Sequence, residues 1–215
     1  MWQDRIEAGQ KLAQKLKEVL GEQKAANKLL ILAIPRGGVV IGRQIADFLK
    51  CPMDVIITKK IGAPGNPELA VGAIGLVSEP VIDEELVARL GIKKDYLEKK
   101  MAEIKNQIII QEKEWRSGKE PLDLKNKVVV ITDDGVATGA TVKAAIEIVR
   151  QANPQKIILA MPVVAKESLN EIENLADEVV YLEAPELFFA VGQFYQDFEQ
   201  ITDEEVKELL NETAF

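Results

Sequence analysis

The sequence contains no histidine and a single cysteine, Cys51, among its 215 residues. The lack of histidine excludes Ser-His-Asp and Cys-His catalytic sets, histidine metal sites and histidine acid–base chemistry. One cysteine can form neither an internal disulfide nor a cysteine metal cluster. Any chemistry must therefore come from carboxylates, hydroxyls, basic side chains and backbone amides.

The sequence also lacks long apolar runs and an excess of positive charge. Its longest apolar run, residues 157–165, is interrupted by Pro162 and falls short of the ~18 residues of a membrane span. The 27 basic and 35 acidic residues give a net charge of −8, which opposes sequence-independent binding of nucleic acid. Residues 1–20 have amphipathic helical spacing and no signal-peptide pattern. We therefore expect a cytoplasmic protein that binds neither membranes nor nucleic acid.

Short apolar runs alternate with amphipathic helical segments along the chain. The patterns predict strands over residues 29–34, 53–58, 128–132, 156–161 and 179–182, and helices over residues 1–20, 39–50, 94–115, 141–151, 167–175 and 203–210. This alternation predicts an α/β fold with a doubly wound, mainly parallel sheet. The length favours one domain over residues 1–215, in which the aromatic segment 184–215 is a peripheral or hood element that makes core or homo-oligomer contacts.

Glycine and proline are concentrated in residues 62–75, the most irregular stretch of the sequence. This composition predicts a mobile loop over residues 59–67 and a returning strand pair over residues 69–77. Lys59 and Lys60 open the loop, from which a cation could reach across a phosphate-filled pocket as the loop closes. The competing interpretation is two solvated lysines at the end of a strand.

Two adjacent carboxylates, Asp133 and Asp134, follow the predicted strand at residues 128–132. In a parallel sheet the carboxyl edge is where ligands bind. The small-residue turn over residues 137–141 offers backbone N–H groups, two hydroxyls and a helix N-terminus, which together suit a phosphate. Carboxylates favour hydroxyls, a cation or a developing positive charge, so the pattern indicates a phosphorylated ribose. The alternative is that the acids merely cap the following helix.

A second turn, Arg36, Gly37 and Gly38, follows the first predicted strand. Glycine permits close approach of backbone N–H groups, and a guanidinium matches phosphate oxygens in a fork, so a pyrophosphate would fit there. Taken alone, the segment is better explained as an ordinary strand-to-helix turn with a solvated arginine. Together with the turn at residues 137–141, it favours phosphate binding.

Residues 129–141 resemble the phosphoribosyl pyrophosphate (PRPP) signature of type I phosphoribosyltransferases: a hydrophobic strand, two acids and a small-Thr-Gly-x-Thr loop. The turn at residues 35–38 looks like the pyrophosphate loop of that family, and the stretch from Gly62 lies where its flexible catalytic loop belongs. Residues 62–70 and 190–193 also look like a bacterial subgroup described as predicted phosphoribosyltransferases. Two positions depart from the signature, since Thr132 and Gly135 replace residues that are usually aliphatic.

The resemblance implies an enzyme that transfers the phosphoribosyl group from Mg²⁺-bound PRPP to a small nitrogenous acceptor and releases pyrophosphate. The roles that it implies are: catalytic, Asp133, Asp134 and Lys59; 5-phosphate binding, Ala137, Thr138, Gly139, Ala140 and Thr141; pyrophosphate binding, Arg36, Gly37, Gly38 and Lys60. Mg²⁺ is expected to be carried by the substrate, near Asp133 and Asp134, without direct protein ligands.

The acceptor and the catalytic competence stay open at this stage. Enzymes of the family that use 6-oxopurines carry an aspartate just before the Thr-Gly of the loop, where this chain has Ala137, so the resemblance disfavours hypoxanthine and guanine. The main alternative function is a non-catalytic regulator that binds PRPP or a ribose phosphate. A ribose-phosphate hydrolase or synthase is a second alternative, although the sequence has no Walker-type phosphate loop.

Overall fold

The computed structural model describes residues 1–21, 28–75 and 79–212. The helices are α1 (Arg5–Leu20), α2 (Gly37–Leu49), α3 (Glu84–Leu90), α4 (Lys94–Trp115), α5 (Ala140–Gln151), α6 (Lys166–Glu173) and α7 (Asp203–Asn211). The strands are β1 (Leu29–Ala33), β2 (Met53–Val55), β3 (Lys59–Ala63), β4 (Asn66–Ile74), β5 (Val81–Ile82), β6 (Val128–Thr132), β7 (Lys156–Val163) and β8 (Glu178–Glu183). A short 3₁₀ helix covers Val191–Phe194.

A five-stranded parallel sheet forms the centre of the molecule, in the order β2-β1-β6-β7-β8. Every residue of β1 and β6 is buried, which explains why these strands are continuous apolar runs. Alternate residues of β1 face opposite layers: Leu29 and Ile31 pack with residues of α1 and α2, whereas Leu30 and Leu32 pack with residues of α5 and α6. Helices therefore cover both faces, and the predicted doubly wound α/β fold is confirmed.

A second sheet, β3-β4-β5, is antiparallel and lies with α3 and α4 beside the main sheet; we call this unit the hood. The predicted loop over residues 59–67 is wrong, because these residues form the β3–β4 hairpin, which turns at Pro64 and Gly65 with a φ of +75° at the glycine. Of the strand pair predicted over residues 69–77, the structure has one strand, β4, which starts at Asn66, and residues 76 and 77 lie outside the described residues.

Burial of apolar side chains explains why the hairpin forms despite its glycine and proline content. Ile61, Val71 and Ile74 of the hairpin are fully buried in a cluster with Ile104 and Ile108 of α4. Apolar burial contributes roughly 25 cal/mol per Å², which outweighs the weak strand propensity of glycine and proline. The register shifts around Gly62, where Pro67 lies opposite, so the irregular composition appears as a bulge within the hairpin.

A buried ion cluster joins α4 to the edge of the main sheet. Arg116, at the end of α4, donates from Nε to Asp54 Oδ1 at 2.8 Å and from Nη2 to the Val55 carbonyl at 3.1 Å, and it also pairs with Glu112. Burial raises the pKa of Glu112, although its pairing with Arg116 opposes that effect. This cluster fixes the hood to β2, a strand that ends at Val55 rather than at the predicted residue 58.

Candidate functional site

Asp133 and Asp134 lie at the carboxyl end of β6, beside the turn between β1 and α2. A Cβ atom added to Gly37 would lie 1.8 Å from Asp134 Oδ2, and one added to Gly38 would lie 2.8 Å from the Asp133 Cα atom. Only glycine fits at either position, because any other side chain would occupy the place of the acids. The structure thus brings the two motifs singled out in the sequence into direct contact.

The two acids share a half-buried site and interact through the backbone. The Asp134 N–H donates to Asp133 Oδ1 at 2.8 Å, and the Asp133 N–H contacts Met161 Sδ at 3.0 Å. Burial raises the pKa of Asp133 well above its usual range, and the neighbouring Asp134 charge raises it further. Burial also raises the pKa of Asp134, while the nearby Arg5 guanidinium opposes this. Strongly perturbed carboxyls of this kind are typical of functional sites.

Helix capping does not explain the acid pair. Helix α5 begins at Ala140, its N-cap is Gly139, and no side chain caps it. The first N–H groups of α5 therefore have no side-chain partner at the cap, as expected of a helix end that receives an anion. The capping interpretation of Asp133 and Asp134 is wrong.

The turn over residues 137–141 is shaped by Gly139, which has a φ of +73°. A Cβ atom there would lie 3.1 Å from Ile172 Cδ1 and 3.3 Å from Lys143 Cε, side-chain atoms that could shift, so it is the backbone conformation that favours glycine. Ser168 Oγ donates to the Ala137 carbonyl at 2.6 Å and holds the turn against α6. Sequence reasoning missed Ser168, which lies 31 positions away. It also missed Lys143, which lies one turn into α5.

Lys59 and Lys60 line a cleft of about 1300 Å³ between the hairpin, α4 and α5. The cleft wall also includes Ala140 and Thr141, so the two lysines and the end of the turn at residues 137–141 line the same cleft. Lys59 Nζ donates to Gln107 Oε1 of α4 at 3.4 Å. Further polar lining side chains are Asp83, Tyr96, Lys100, Lys143 and Glu147. Neither acid of the pair is among the lining residues, so the cleft meets the start of α5 rather than the acids.

Arg36 is not a freely solvated side chain. Its Nε atom lies 2.9 Å from Asp203 Oδ1, at the start of α7, and both side chains are partly exposed. An exposed pair of this kind is worth at most about 1 kcal/mol, so a more strongly charged ligand can displace Asp203. The Arg36 side chain, directly before Gly37, is therefore held only weakly by Asp203.

Arg5 is a further site residue that the sequence analysis did not identify. It lies in the first turn of α1, and its Nε atom donates to Asp134 Oδ2 at 2.9 Å. A signal was available, because Arg5 occupies the same helical stripe as the buried Ala8, Leu12 and Leu16. A charged residue on an apolar stripe requires a buried partner.

The phosphoribosyl transferase domain family matches residues 3–199 of this chain. The chain belongs to this family. The match includes α1 with Arg5, the β1–α2 turn and the acid pair, so the whole carboxyl edge lies within the family domain. The predicted resemblance to phosphoribosyltransferases is thereby confirmed.

Individual relatives cover almost the entire chain. A Mycobacterium tuberculosis H37Rv protein named "Putative phosphoribosyl transferase Rv0571c" is 38% identical over 213 residues, which are 98% of this chain and 46% of that protein. The crystal structure of TT1426 from Thermus thermophilus is 36% identical, with a TM-score of 0.84 and coverage of 98% of this chain and 97% of that one. The chain spans about half the length of the curated relatives it matches.

More distant structures share the fold. The AQ2163 protein from Aquifex aeolicus is 13% identical with a TM-score of 0.50, and it covers 83% of this chain and 73% of that one. In the part of this chain that the structure describes, no helix is long and apolar enough to cross a membrane. Among the same residues, no group of three or more acidic, histidine or cysteine side chains is arranged to hold a metal ion.

Proposed function

We propose that this chain is a phosphoribosyltransferase that transfers the 5-phosphoribosyl group of Mg²⁺-bound PRPP to a nitrogen acceptor and releases pyrophosphate. One observation carries the proposal: the acid pair contacts the Gly37–Gly38 turn and is followed directly by a turn that ends in an uncapped helix N-terminus. These three elements match the three parts of PRPP, which are a pyrophosphate, a ribose diol and a monophosphate.

The 5-phosphate is assigned to residues 137–141. Backbone N–H groups of the turn, the hydroxyls of Thr138 and Thr141, and the α5 dipole favour a dianion without a basic side chain within the turn. Lys143, one turn along α5, lies beside Gly139, and its ammonium, which pairs with Glu171 in this structure, would have to leave that partner to reach the phosphate. Ser168 keeps the Ala137 carbonyl turned toward α6 and away from the anion.

The acids are assigned to the ribose, and the neighbouring turn is assigned to pyrophosphate. Asp133 and Asp134 accept hydrogen bonds from the ribose hydroxyls, and their negative charge stabilises the oxocarbenium character that develops as the glycosidic bond to pyrophosphate breaks. Arg36 and the N–H groups of Gly37 and Gly38 neutralise the departing pyrophosphate after Arg36 leaves Asp203. The acids directly follow β6 and Arg36 directly precedes α2, so each group is placed by the end of a strand or the start of a helix.

Magnesium fits this site as an ion carried by the substrate. Carboxylate oxygens are hard ligands, which suits Mg²⁺, and the edge offers Asp133 and Asp134 rather than a complete ligand set. When bound, the ion supplies neutralisation of the pyrophosphate charge. Asp133 and Asp134 would hold it through water or through the ribose hydroxyls rather than as direct ligands.

The acceptor is assigned to the cleft beneath the hood. The cleft is large enough for a nucleobase, and Lys59 and Lys60 lie on the hairpin that covers it. We assign to Lys59 the contact with the reacting groups and to Lys60 a contact with pyrophosphate as the hairpin closes. Ala137 offers no carboxylate to a purine ring, which disfavours 6-oxopurines as acceptors.

A PRPP-dependent assay of pyrophosphate release against a panel of nucleobases, paired with calorimetric binding of Mg²⁺-PRPP, tests this function. Turnover with at least one acceptor is the expected result. The variant Asp133→Asn with Asp134→Asn should lose turnover and still unfold cooperatively, at a lower temperature because Asp134→Asn removes the ion-pair partner of the buried Arg5. PRPP binding without turnover on any acceptor would replace the transferase with a ligand-binding regulator. Unchanged turnover in the double variant would remove the acids from the reaction.

A further inference from the structure

Residues 194–203 pass beside Asp134 and the side chains of Arg5 and Arg36, and we call them the C-terminal strap. The Tyr195 hydroxyl donates to the backbone carbonyl of Asp134 at 2.6 Å. The Glu199 carbonyl accepts from Arg5 Nη1 at 2.9 Å, and Asp203 pairs with Arg36. The strap therefore contacts the second acid directly and both arginines of the edge.

Arg5 is enclosed on three sides by the strap and the second acid. Its guanidinium carbon lies 3.8 Å from the centre of the Phe198 ring, within the range of a cation–π interaction. Nε is directed to Asp134 and Nη1 to Glu199, and the side chain is 9% exposed. A guanidinium fixed by two hydrogen bonds and an aromatic face has one orientation, and it transfers that orientation to the carboxylate that it holds.

The Asp134 carboxylate is consequently held between α1 and the β1–α2 turn. A Cβ atom added to Gly37 would meet Asp134 Oδ2 at 1.8 Å and Arg5 Nε at 3.0 Å, so the ion pair lies directly against the backbone of the turn assigned to pyrophosphate. Two adjacent carboxylates would repel a polyanionic ligand. Arg5 offsets one of their two charges at the place where the ligand would lie.

We propose that Arg5, held by the C-terminal strap, is a positioning residue that orients the Asp134 carboxylate toward the ribose hydroxyls and offsets its charge. This inference rests on the proposed function, because it assigns the ribose to the acid pair. Tyr195 supports it by fixing the Asp134 backbone, and Phe198 supports it by fixing Arg5. The N-terminal helix and the strap thus take part in substrate recognition from outside the strand-end motifs.

The preference for a sugar phosphate with a 2-hydroxyl distinguishes a positioning role of Arg5 from a role in protein stability alone. Wild-type protein should bind ribose 5-phosphate at least tenfold more tightly than 2-deoxyribose 5-phosphate in calorimetric titrations, because the acids accept the additional hydroxyl. Arg5→Gln should reduce this ratio to within threefold, and Arg5→Lys, which keeps the charge, should recover part of it. Arg43→Gln removes another buried arginine, on α2, and should keep the wild-type ratio.

A double-mutant cycle of Arg5 and Asp134 tests whether the two residues act together. If Arg5 acts through Asp134, Arg5→Gln should change the affinity ratio less than twofold in an Asp134→Asn background, where Arg5 has no carboxylate at position 134 to orient. Thermal unfolding of each variant confirms that the titrated protein is folded. An unchanged ratio in folded Arg5→Gln, or a full additive loss in the double variant, would overturn the positioning role alone. Failure of wild-type protein to bind either sugar phosphate would overturn the proposed function and this inference with it.

Discussion

The two glycine-containing turns at the carboxyl edge use glycine for different reasons. In the β1–α2 turn, Gly37 and Gly38 have no positive φ, but the acids lie so close that a Cβ atom would collide with them. In the β6–α5 turn, Gly139 has a φ of +73°, and its nearest neighbours are side chains that could move. The first turn needs glycine because of its surroundings, and the second because of its own backbone.

This difference determines whether a substitution in a turn also moves the acid pair. A change in the β1–α2 turn must displace Asp134 and, through it, Arg5. A change in the β6–α5 turn would alter the proposed phosphate contacts and leave the acids in place. The first turn is thus mechanically coupled to the proposed ribose site, whereas the second is proposed to bind the phosphate locally.

The largest expected effect comes from Gly37→Ala. The added Cβ atom would occupy the place of Asp134 Oδ2, so we expect a loss of stability of about 3 kcal/mol from overpacking and a decrease of at least hundredfold in ribose 5-phosphate affinity. Urea unfolding and calorimetry measure the two effects. Gly91→Ala, at a helix end with a φ of +62° and open space around it, is the control and should leave affinity unchanged. Wild-type affinity in Gly37→Ala would disprove the coupling between the turn and the acids.

Thr138→Ala tests the local cradle. One hydrogen bond to a charged phosphate contributes roughly 1.5–3 kcal/mol, so ribose 5-phosphate affinity should fall at least about tenfold. Because Thr138 is exposed, the free energy of unfolding should change by less than about 0.5 kcal/mol. Calorimetric titration and urea unfolding of the same preparation supply both values. An affinity equal to that of the wild type would show that the turn is only the start of a helix.

Ser168→Ala should have a smaller effect, since Ser168 contacts the turn rather than the ligand. Loss of its bond to the Ala137 carbonyl should destabilise the protein by about 1 kcal/mol. Ribose 5-phosphate affinity should fall a few-fold, and Ser168→Thr, which retains a hydroxyl, should restore it. A loss as large as that of Thr138→Ala would mean that Ser168 reaches the phosphate itself.

The smallest effect concerns the pH dependence of stability. The pKa of Asp133 is raised in the folded protein, so its contribution to stability is fully present below its unfolded pKa and is lost as pH rises through the folded value. Asp133→Asn removes this dependence. The stability of the wild type relative to Asp133→Asn should therefore decrease from pH 4 to pH 7 in urea unfolding. A difference that increases over this range would contradict the direction of the shift.

The main sheet was predictable because a strand buried on both faces has a continuous apolar sequence. The predicted strand at residues 128–132 and the predicted helix at residues 94–115 coincide with β6 and α4. The hairpin of the hood was predicted wrongly, since it is stabilised by contacts with α4 that are distant in sequence, while its glycines and prolines locally favour a loop. Local composition decides the structure only where tertiary burial is weak.

The same contrast applies to the site. The acid pair and the two turns lie at strand ends, a position that follows from the alternation of strands and helices. Arg5 and Ser168 could not be assigned to the site, because their partners are 129 and 31 positions away. The strand-to-helix turns can be read from local sequence, whereas Arg5 and Ser168 reach them only in the tertiary structure.

The pairing of α1 with the C-terminal strap also has a kinetic consequence. The Trp2 N–H donates to the Phe194 carbonyl, and Arg5 reaches a carbonyl 194 positions further along the chain. Contacts of such sequence separation close large loops, whose entropy is lost before the contact can compensate for it. During synthesis, the parallel sheet can form once β8 has emerged, but Phe198 and Glu199, two of the partners of Arg5, emerge later. The surroundings of Arg5 are thus completed only after the sheet.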